Sequence, residues 1–379
     1  MKVTISIDSF KGSLSSVMAG EAVREAVNTV FPGAKTHIVP LADGGEGTLD
    51  AIISATDGRR IRTSVLDPLG RDIDAEYGVI NGNTADIEMA TASGITLLSD
   101  AERNPMKTTT YGVGQLIRHA IDTGCRKFII GIGGSATNDG GCGMLSALGF
   151  ELLDSEGKEI PLGAEGLANL SKIKTETALG ALCECEFLVA CDVKNPLCGK
   201  QGCSAVYGPQ KGASDKDIIL MDGWLRNYAR LAEGVLLKDY SQAEGAGAAG
   251  GLGFALIAFL GAELLPGIEL IADTVGLEEE IRESDLVITG EGRLDGQTGM
   301  GKAPVGVAKI AKKYGKPVLA FSGAVSEDAT ALNGCGIDAF FPIIPRPTSL
   351  SEAMDIDTAY KNLKRTAEQA MRLIKAFKA

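Results

Sequence analysis

Short apolar runs rich in β-branched residues recur along this chain, and most end beside a glycine, a serine or an acidic residue. They are apolar along most of their length instead of alternating, which is typical of strands buried on both faces of a parallel sheet. Such a sheet needs helices on both faces, so the chain is predicted to be an α/β protein. The runs span 2–8, 35–45, 127–134, 186–193, 285–292, 316–323 and 339–345.

Helix-period segments follow several of these runs. Residues 15–30 place alanine and valine on one face behind a candidate N-cap at Ser15 or Ser16. The segment 304–314 begins with a proline suited to a first helical turn, and 358–378 carries one apolar stripe. The alternation of strands and helices predicts a Rossmann-like open parallel sheet.

Two stretches depart from this alternation. Residues 59–90 hold three β-like runs joined by the turn sequences DPLG and NGNT, which predicts an antiparallel meander. Near 195–275, helical segments surround the Gly/Ala-rich EGAGAAGGLG. We therefore predict a second, smaller α/β domain inserted into the first. The predicted Rossmann-like domain comprises 1–58, 101–194 and 280–379, and the inserted domain, which contains the meander, comprises 59–100 and 195–279.

The charge of the chain limits its partners. Its 379 residues carry a formal net charge of −12, without the basic footprint that duplex DNA or an anionic membrane requires. We expect neither nucleic acid nor membrane as a partner, and positive charge for a small anion must be local. The segment MKVTISIDSF is interrupted by Asp8 and no small-residue cleavage site follows, so we expect no signal peptide and a cytoplasmic location.

Polar residues stand where the predicted strands end, which is where ligands gather in open α/β sheets. If these strands share one sheet, the residues converge on one edge, where carboxylates outnumber bases. An anionic ligand there needs a bridging divalent cation, for which Mg²⁺ is the best fit, and the combination suggests phosphoryl transfer. The residues are Asp8, Ser9, Lys11, Ser13, Asp43–Glu46, Gly133–Ser135, Asn138, Asp139, Asp192, Lys194, Glu291, Arg293, Asp295 and Lys302.

The densest of these loops is GIGGSATNDGG, residues 131–141. Gly133 and Gly134 offer backbone N–H groups, and Ser135 and Asn138 offer polar side chains, ahead of a helix predicted to start near Gly140. We predict contact with a phosphate or a substrate. The alternative reading is a tight turn.

Two other glycine motifs are weaker. GQTGMGKA (296–303) has P-loop spacing, but Ala303 replaces the Ser/Thr that would hold Mg²⁺, and the loop begins several residues after its strand. We therefore predict that it is not a P-loop, and that Lys302 either reaches a phosphate or is a solvated surface lysine. GAGAAG (245–250) does not follow a strand, which argues against dinucleotide binding. It indicates helix packing by Ala248, Ala249 and Leu252, and the alternative is a backbone contact to a ligand at Gly250 or Gly251.

Each charged candidate has a functional and a structural reading. Asp192 ends an apolar strand, where a base for a substrate hydroxyl or a turn-capping aspartate would stand. Asp43 and Asp295 are metal ligands or turn residues. Lys11 either steadies a negative group or is a surface lysine.

Taken together, these loops resemble the bacterial glycerate kinase family of type 1, whose members usually yield the 2-phosphate. The resemblance implies ATP and Mg²⁺ as cosubstrates, D-glycerate as the acceptor, and a two-domain α/β fold with its site in the cleft between the domains. The matching blocks run in collinear order from residue 8 to about 308: DSFKGSLSS, PLADGGEGTLDA, GIGGSATNDGG, ACDVKNPLCG, YGPQKGA, GAGAAGGLG, TGEGRLDGQT and GKAPVGVA.

Under this resemblance the candidates take roles. Asp192 deprotonates the glycerate hydroxyl, and Lys11 steadies negative charge as its catalytic partner. The product is 2-phosphoglycerate or 3-phosphoglycerate. The sequence does not decide between a monomer and a homodimer. The substrate-binding set is Asp43, Arg71, Ser135 and Arg293; the phosphate and ATP set is Gly133, Gly134, Asn138 and Lys302; the Mg²⁺ set is Asp43, Glu291 and Asp295.

Two other functions share part of this pattern. An NAD-dependent hydroxy-acid dehydrogenase would use the same sheet and substrate class, but it requires GxGxxG directly after a strand. A non-catalytic protein that binds an anionic metabolite would need the glycine loop without the acids around it.

Overall fold

The computed structural model describes residues 1–42, 44–45, 47–296 and 298–378. Its strands, in chain order, are β1 (Lys2–Ile7), β2 (Lys35–Ile38), β3 (Arg59–Leu66), β4 (Asp72–Ile80), β5 (Thr84–Glu88), β6 (Lys127–Gly131), β7 (Glu151–Leu153), β8 (Lys172–Lys174), β9 (Glu186–Ala190), β10 (Glu263–Leu265), β11 (Leu286–Leu294), β12 (Val318–Val325) and β13 (Ala339–Pro342).

Helices connect and cover these strands, and several short 3₁₀ turns lie between them. The α-helices are α1 (Ser16–Val30), α2 (Thr48–Thr56), α3 (Ala90–Ser93), α4 (Tyr111–Asp122), α5 (Cys142–Ala147), α6 (Cys203–Tyr207), α7 (Asp215–Leu236), α8 (Ala248–Leu260), α9 (Gly267–Thr274), α10 (Leu277–Arg282), α11 (Ala303–Lys313), α12 (Leu350–Met354) and α13 (Ile356–Lys378).

The chain divides into two compact units. The first unit comprises Met1–Asp43, Asp50–Asp57 and Pro266–Ala379. Its five-stranded sheet has the order β13-β12-β11-β1-β2, and every pairing is parallel. This is the open parallel sheet that the apolar runs predict. Parallel strands require crossover connections, and helices supply them here.

The helices of the first unit follow the sequence pattern closely. Ser15 caps α1, as predicted, by accepting a hydrogen bond from the Met18 amide at 3.2 Å. The buried faces of α1 and α13 pack together with the inward side chains of β1 in one hydrophobic cluster. The apolar stripe predicted for α13 holds at Leu363 and Ala367 but fails at Phe377, which is 86% exposed.

The second unit comprises Gly44–Leu49 and Gly58–Leu265. Its six-stranded sheet has the order β10-β9-β6-β5-β4-β3, and β7 pairs with β8 in a separate ribbon. Strands β3, β4 and β5 form the predicted antiparallel meander, whereas β5, β6, β9 and β10 are parallel. The unit is therefore α/β with an antiparallel edge.

The predicted division at residues 101–194 differs from the structure. We predicted that this segment shares a sheet with β1, but its strands β6 and β9 lie in the second unit. The reason is that β5, the last strand of the meander, pairs in parallel with β6, and β6 pairs with β9. The second unit is consequently the longer of the two. Among the described residues, no helix is both long enough and apolar enough to cross a bilayer.

Candidate functional site

The loop after β6, which we name the glycine loop (residues 133–139), passes from exposed to buried within a few residues. Gly133 and Gly134 are exposed, and Gly134 has a left-handed φ of +75°. The residues from Ser135 to Asp139 are buried. Within the described part of the chain, no hydrogen bond uses the backbone N–H groups of Gly133, Gly134 or Ser135. These consecutive donors are available to the oxygen atoms of an anion.

Asp139 fixes the far end of the glycine loop. Its Oδ2 accepts hydrogen bonds from the Thr110 amide at 2.8 Å and the Thr110 hydroxyl at 2.9 Å. The amides of Gly141 and Gly143 donate to the same carboxylate at 3.1 and 3.2 Å. Burial raises the pKa of Asp139, and these hydrogen bonds oppose that shift. The following helix, α5, begins at Cys142, close to the predicted start, and has only six residues.

Lys211 is a buried cation bound to the glycine loop, and the sequence reasoning did not single it out. Its side chain is 2% exposed. Its Nζ donates to the Ser135 hydroxyl and to the Thr137 carbonyl, both at 2.7 Å. Burial lowers the pKa of Lys211 to about 8. The only sequence signal was the block YGPQKGA, in which the lysine had no visible partner.

Asn138 is held inside the protein. It is fully buried, and its Nδ2 donates to the Ser204 hydroxyl at 2.8 Å. Its Oδ1 has no hydrogen-bond partner among the described residues. The structure thus gives this side chain a packing role, and its predicted contact with ATP stays a prediction.

The segment after β2 reaches the carboxyl ends of β6 and β9, as the loop pattern predicted. A Cβ atom placed on Gly131 would lie 2.3 Å from the Gly44 carbonyl oxygen, and one on Gly44 would lie 2.5 Å from the Ala190 Cβ. A Cβ on Gly133 would lie 3.4 Å from the Gly45 Cα, which is an ordinary van der Waals contact. Predicted ligand Asp43 lies outside the described residues.

The Gly/Ala-rich segment packs against the back of the glycine loop. The Gly140 amide donates to the Gly250 carbonyl at 3.0 Å. A Cβ on Gly250, whose φ is +68°, would lie 2.0 Å from the Thr137 carbonyl oxygen. The motif GAGAAG follows no strand here, and Gly250 serves a close backbone contact with left-handed φ. Ala248 and Leu252 are buried, as helix packing predicts.

Asp192 lies two residues beyond the end of β9. It is exposed, and the neighbouring Cys191 donates to the Val193 carbonyl at 3.3 Å. Burial raises the pKa of Cys191 to about 11, which argues against a nucleophilic thiolate. Lys194 pairs with Glu244 at 3.0 Å.

The other predicted charges lie at the carboxyl edge of the first sheet. Gly292 of β11 approaches the backbone of Lys11, which follows β1. The Thr298 hydroxyl donates to Glu291 Oε1 at 2.6 Å, and the Thr298 amide donates to Asp295 at 3.4 Å. One threonine therefore ties two acidic side chains together. Lys302 stands at the N-cap of α11 without a side-chain capping bond.

Two arginines predicted to bind substrate are paired with acids. Arg71 binds Asp67 at 2.5 Å and Glu102 at 2.6 Å. Arg293 lies 3.3 Å from Asp295 and is 68% exposed. Both guanidinium groups are already partly neutralised, and the one on Arg71 has two carboxylate partners.

The prediction of a single sheet edge is wrong. The loops after β1 and β11 end on the first sheet, and those after β6 and β9 end on the second. Each edge nevertheless gathers the expected residue types. No group of three or more His, Cys, Asp or Glu residues suited to a metal occurs within the described part of the chain.

Parallel sheets that carry glycine loops and acids at their carboxyl ends place the chain among the α/β proteins that bind phosphorylated or other anionic small molecules. Comparison with known proteins narrows this class. Residues 3–375 match the model of the glycerate kinase family. The chain therefore belongs to the glycerate kinase family.

Individual relatives are similar to the chain over nearly its whole length. The chain is 46% identical to a glycerate kinase of Bacillus subtilis, over 100% of this chain and 99% of the relative. It is 46% identical to a glycerate 2-kinase of Escherichia coli, over 97% and 96%. A crystal structure of a provisionally named glycerate kinase 2 from Salmonella typhimurium LT2 superposes with a TM-score of 0.91, at 46% identity, over 100% and 99%.

Proposed function

We propose that the protein is a glycerate kinase that transfers the γ-phosphoryl group of ATP to D-glycerate. The observation that carries this proposal is the match to the family over residues 3–375. We further propose 2-phosphoglycerate as the product, because one full-length relative at 46% identity is a glycerate 2-kinase. The reaction is then a phosphotransfer to an alcohol group.

The glycine loop is the proposed contact for the transferred phosphoryl group. Gly133 and Gly134 are exposed and their amides are not used by the described residues. Backbone donors fixed before the reaction stabilise charge on phosphoryl oxygens without reorganising, which is the main requirement for catalysing phosphoryl transfer. Asn138 and Lys302 are the other proposed ATP contacts, Lys302 because it stands half-buried at the N-cap of α11.

Carboxylates at the edge of the first sheet are the proposed ligands for Mg²⁺. Glu291 and Asp295 share Thr298 as a hydrogen-bond partner, and Mg²⁺ is usually held by one or two carboxylates together with phosphate oxygens. Their hard oxygen donors fit that ion. When bound, Mg²⁺ would neutralise charge on the phosphates of ATP. Asp43 is proposed as a third ligand from the sequence alone.

Asp192 is the proposed general base. It is exposed at the end of β9, where an ionised carboxylate can accept the proton of a substrate hydroxyl. Lys11 and Arg293 are proposed to bind the glycerate carboxylate or to steady developing charge. Ser135, Asp43 and Arg71 complete the proposed substrate contacts. Arg71 is paired with two carboxylates, so its charge is neutralised more than that of Arg293, which is paired with one.

The test is to incubate the purified protein with ATP, Mg²⁺ and D-glycerate and to identify the product by phosphorus NMR. We expect 2-phosphoglycerate and ADP in equal amounts, and loss of turnover on addition of EDTA. No ADP release above background would end the proposal. Ligand binding that survives EDTA without turnover would favour a metabolite-binding protein, and glycerate-dependent reduction of NAD would favour a dehydrogenase.

The role of Asp192 has its own test. Asp192→Asn should lower kcat by at least about 10²-fold, as expected when a general base is lost, with an unchanged thermal melt. Asp122→Asn, at the exposed end of α4, is the matched control and should keep full activity. An active Asp192→Asn enzyme removes this residue from the mechanism.

We also propose a cytoplasmic location and small-molecule partners only. The formal net charge of −12 disfavours nucleic acid and anionic membranes. A homodimer is proposed as the assembly, and light scattering coupled to size exclusion would decide between it and a monomer.

A further inference from the structure

Lys211 donates two short hydrogen bonds into the glycine loop while almost completely shielded from solvent. Lysine carries only donors, so the Ser135 oxygen must accept the bond from Nζ. The proton of the Ser135 hydroxyl is then free to point elsewhere. Within the described residues it donates to no acceptor, although Ser135 is 8% exposed and lies beside the unused amides of Gly133 and Gly134.

We propose that Lys211 is a positioning residue that orients the Ser135 hydroxyl as a donor to the phosphoryl oxygens bound at the glycine loop. The inference rests on the proposed function for the identity of that anion. The bond from Lys211 to the Thr137 carbonyl holds the next turn of the loop, so one ammonium group sets both the hydroxyl and the backbone beside it. The ammonium also adds a buried positive charge behind the donors.

The charge of Lys211 can be followed by pH. Burial lowers its pKa to about 8, so the ammonium is lost as the pH rises through that value. The other titratable groups that act on it are Asp139 and Cys203. Burial raises the pKa of Cys203 to about 11, so that thiol stays neutral around pH 8. A neutral amine can accept a hydrogen bond, and the Ser135 hydroxyl can then turn away from the ligand.

The first measurement is the pH profile of kcat in the wild type and two variants. We expect an alkaline fall near pH 8 in the wild type. In Ser135→Ala, kcat should be lower by about 10²-fold, as for loss of one preorganised donor, and the alkaline fall should disappear. An alkaline fall that persists unchanged in Ser135→Ala would overturn the proposal. Lys211→Arg keeps the charge across the measured pH range, so the alkaline fall should be absent in this variant.

The second measurement is a double-mutant cycle between Lys211→Met and Ser135→Ala. If Lys211 acts through Ser135, the double variant is no slower than either single variant. A merely structural lysine would instead give multiplied losses, which would refute the inference. Lys216→Met, an exposed lysine on α7, is the matched control. If Lys211→Met fails to fold, the profile of Ser135→Ala still decides.

A binding measurement separates this inference from the proposed function. ATP–Mg²⁺ affinity is measured by calorimetry in the wild type, Ser135→Ala and Lys216→Met. A wild type that lacks glycerate-dependent turnover refutes the kinase proposal alone. A wild type that turns over, with Ser135→Ala equal to it in kcat and in ATP affinity, refutes the positioning role alone.

Discussion

Gly250 lies where two backbone segments touch, and its replacement by alanine tests the packing of the glycine loop. Its φ of +68° costs an alanine about 1–2 kcal/mol. The new Cβ would also lie 2.0 Å from the Thr137 carbonyl oxygen and 2.6 Å from the Asn138 Cα. Both are backbone atoms, so they cannot rotate away, and the overlap adds about 1–3 kcal/mol. Gly250→Ala should therefore lower the free energy of unfolding by about 2–5 kcal/mol in total.

The matched control is Gly261→Ala at the other end of α8. Gly261 has a similar φ of +65°, but nothing lies within 4 Å of an added Cβ. This variant should lose only the conformational part, about 1–2 kcal/mol. Both glycines belong to the second unit, so urea unfolding followed by circular dichroism compares them in the same transition. If Gly250→Ala is no less stable than Gly261→Ala, the close approach is not a constraint and the reasoning fails.

Three further substitutions test buried or paired acids. Asp139→Asn should cost about 2–4 kcal/mol in urea unfolding because it weakens charge-assisted bonds, whereas Asp154→Asn in an exposed turn should cost under about 1 kcal/mol; equal losses would contradict this. The pKa of Glu102 is lowered to about 2, first by hydrogen bonds from Ser99. The ionised carboxylate therefore stabilises the fold above pH 4.5, and this stabilisation is lost as the pH falls toward 2. In Glu102→Gln, the melting temperature should depend less on pH within that window than it does in the wild type. Burial raises the pKa of Asp86, so its ionisation destabilises the fold as the pH rises above 3.8. The melting temperature of Asp86→Asn should exceed that of the wild type, and the difference should grow with pH. A difference that does not change with pH would refute this.

Secondary structure was predictable from the sequence wherever it depends on interactions between residues that are close together in the chain. The cap at Ser15, the start of α11 near Pro304 and the meander of β3 to β5 depend on local hydrogen bonds, turn residues and side-chain periodicity. These are the interactions that sequence pattern records directly. Their boundaries accordingly lie close to those expected.

The partners of each strand were not predictable in the same way. A strand buried on both faces is apolar throughout, so β6 and β1 look alike in sequence although they lie in different sheets. The deciding contact is the parallel pairing of β5 with β6, between Glu88 and Gly131 at its end, which joins segments about 40 residues apart. The predicted domain division failed at this point.

The sequence indicates candidate cations by their position in the chain, and it does not show which cations are buried. Lys11 and Arg293 are predicted to meet the anion because they follow predicted strands, whereas Lys211 follows none and lysine is rarely buried. Arg71 and Arg293 prove to be paired with carboxylates on an acidic protein, where solvent and those partners weaken their fields. Lys211 lies beside the glycine loop and is almost completely shielded from solvent, and a shielded charge has a stronger effect on a bound anion than an exposed one. Under the proposed function, a protein with a net charge of −12 binds its anion without a basic surface, through a cation that is buried beside backbone donors.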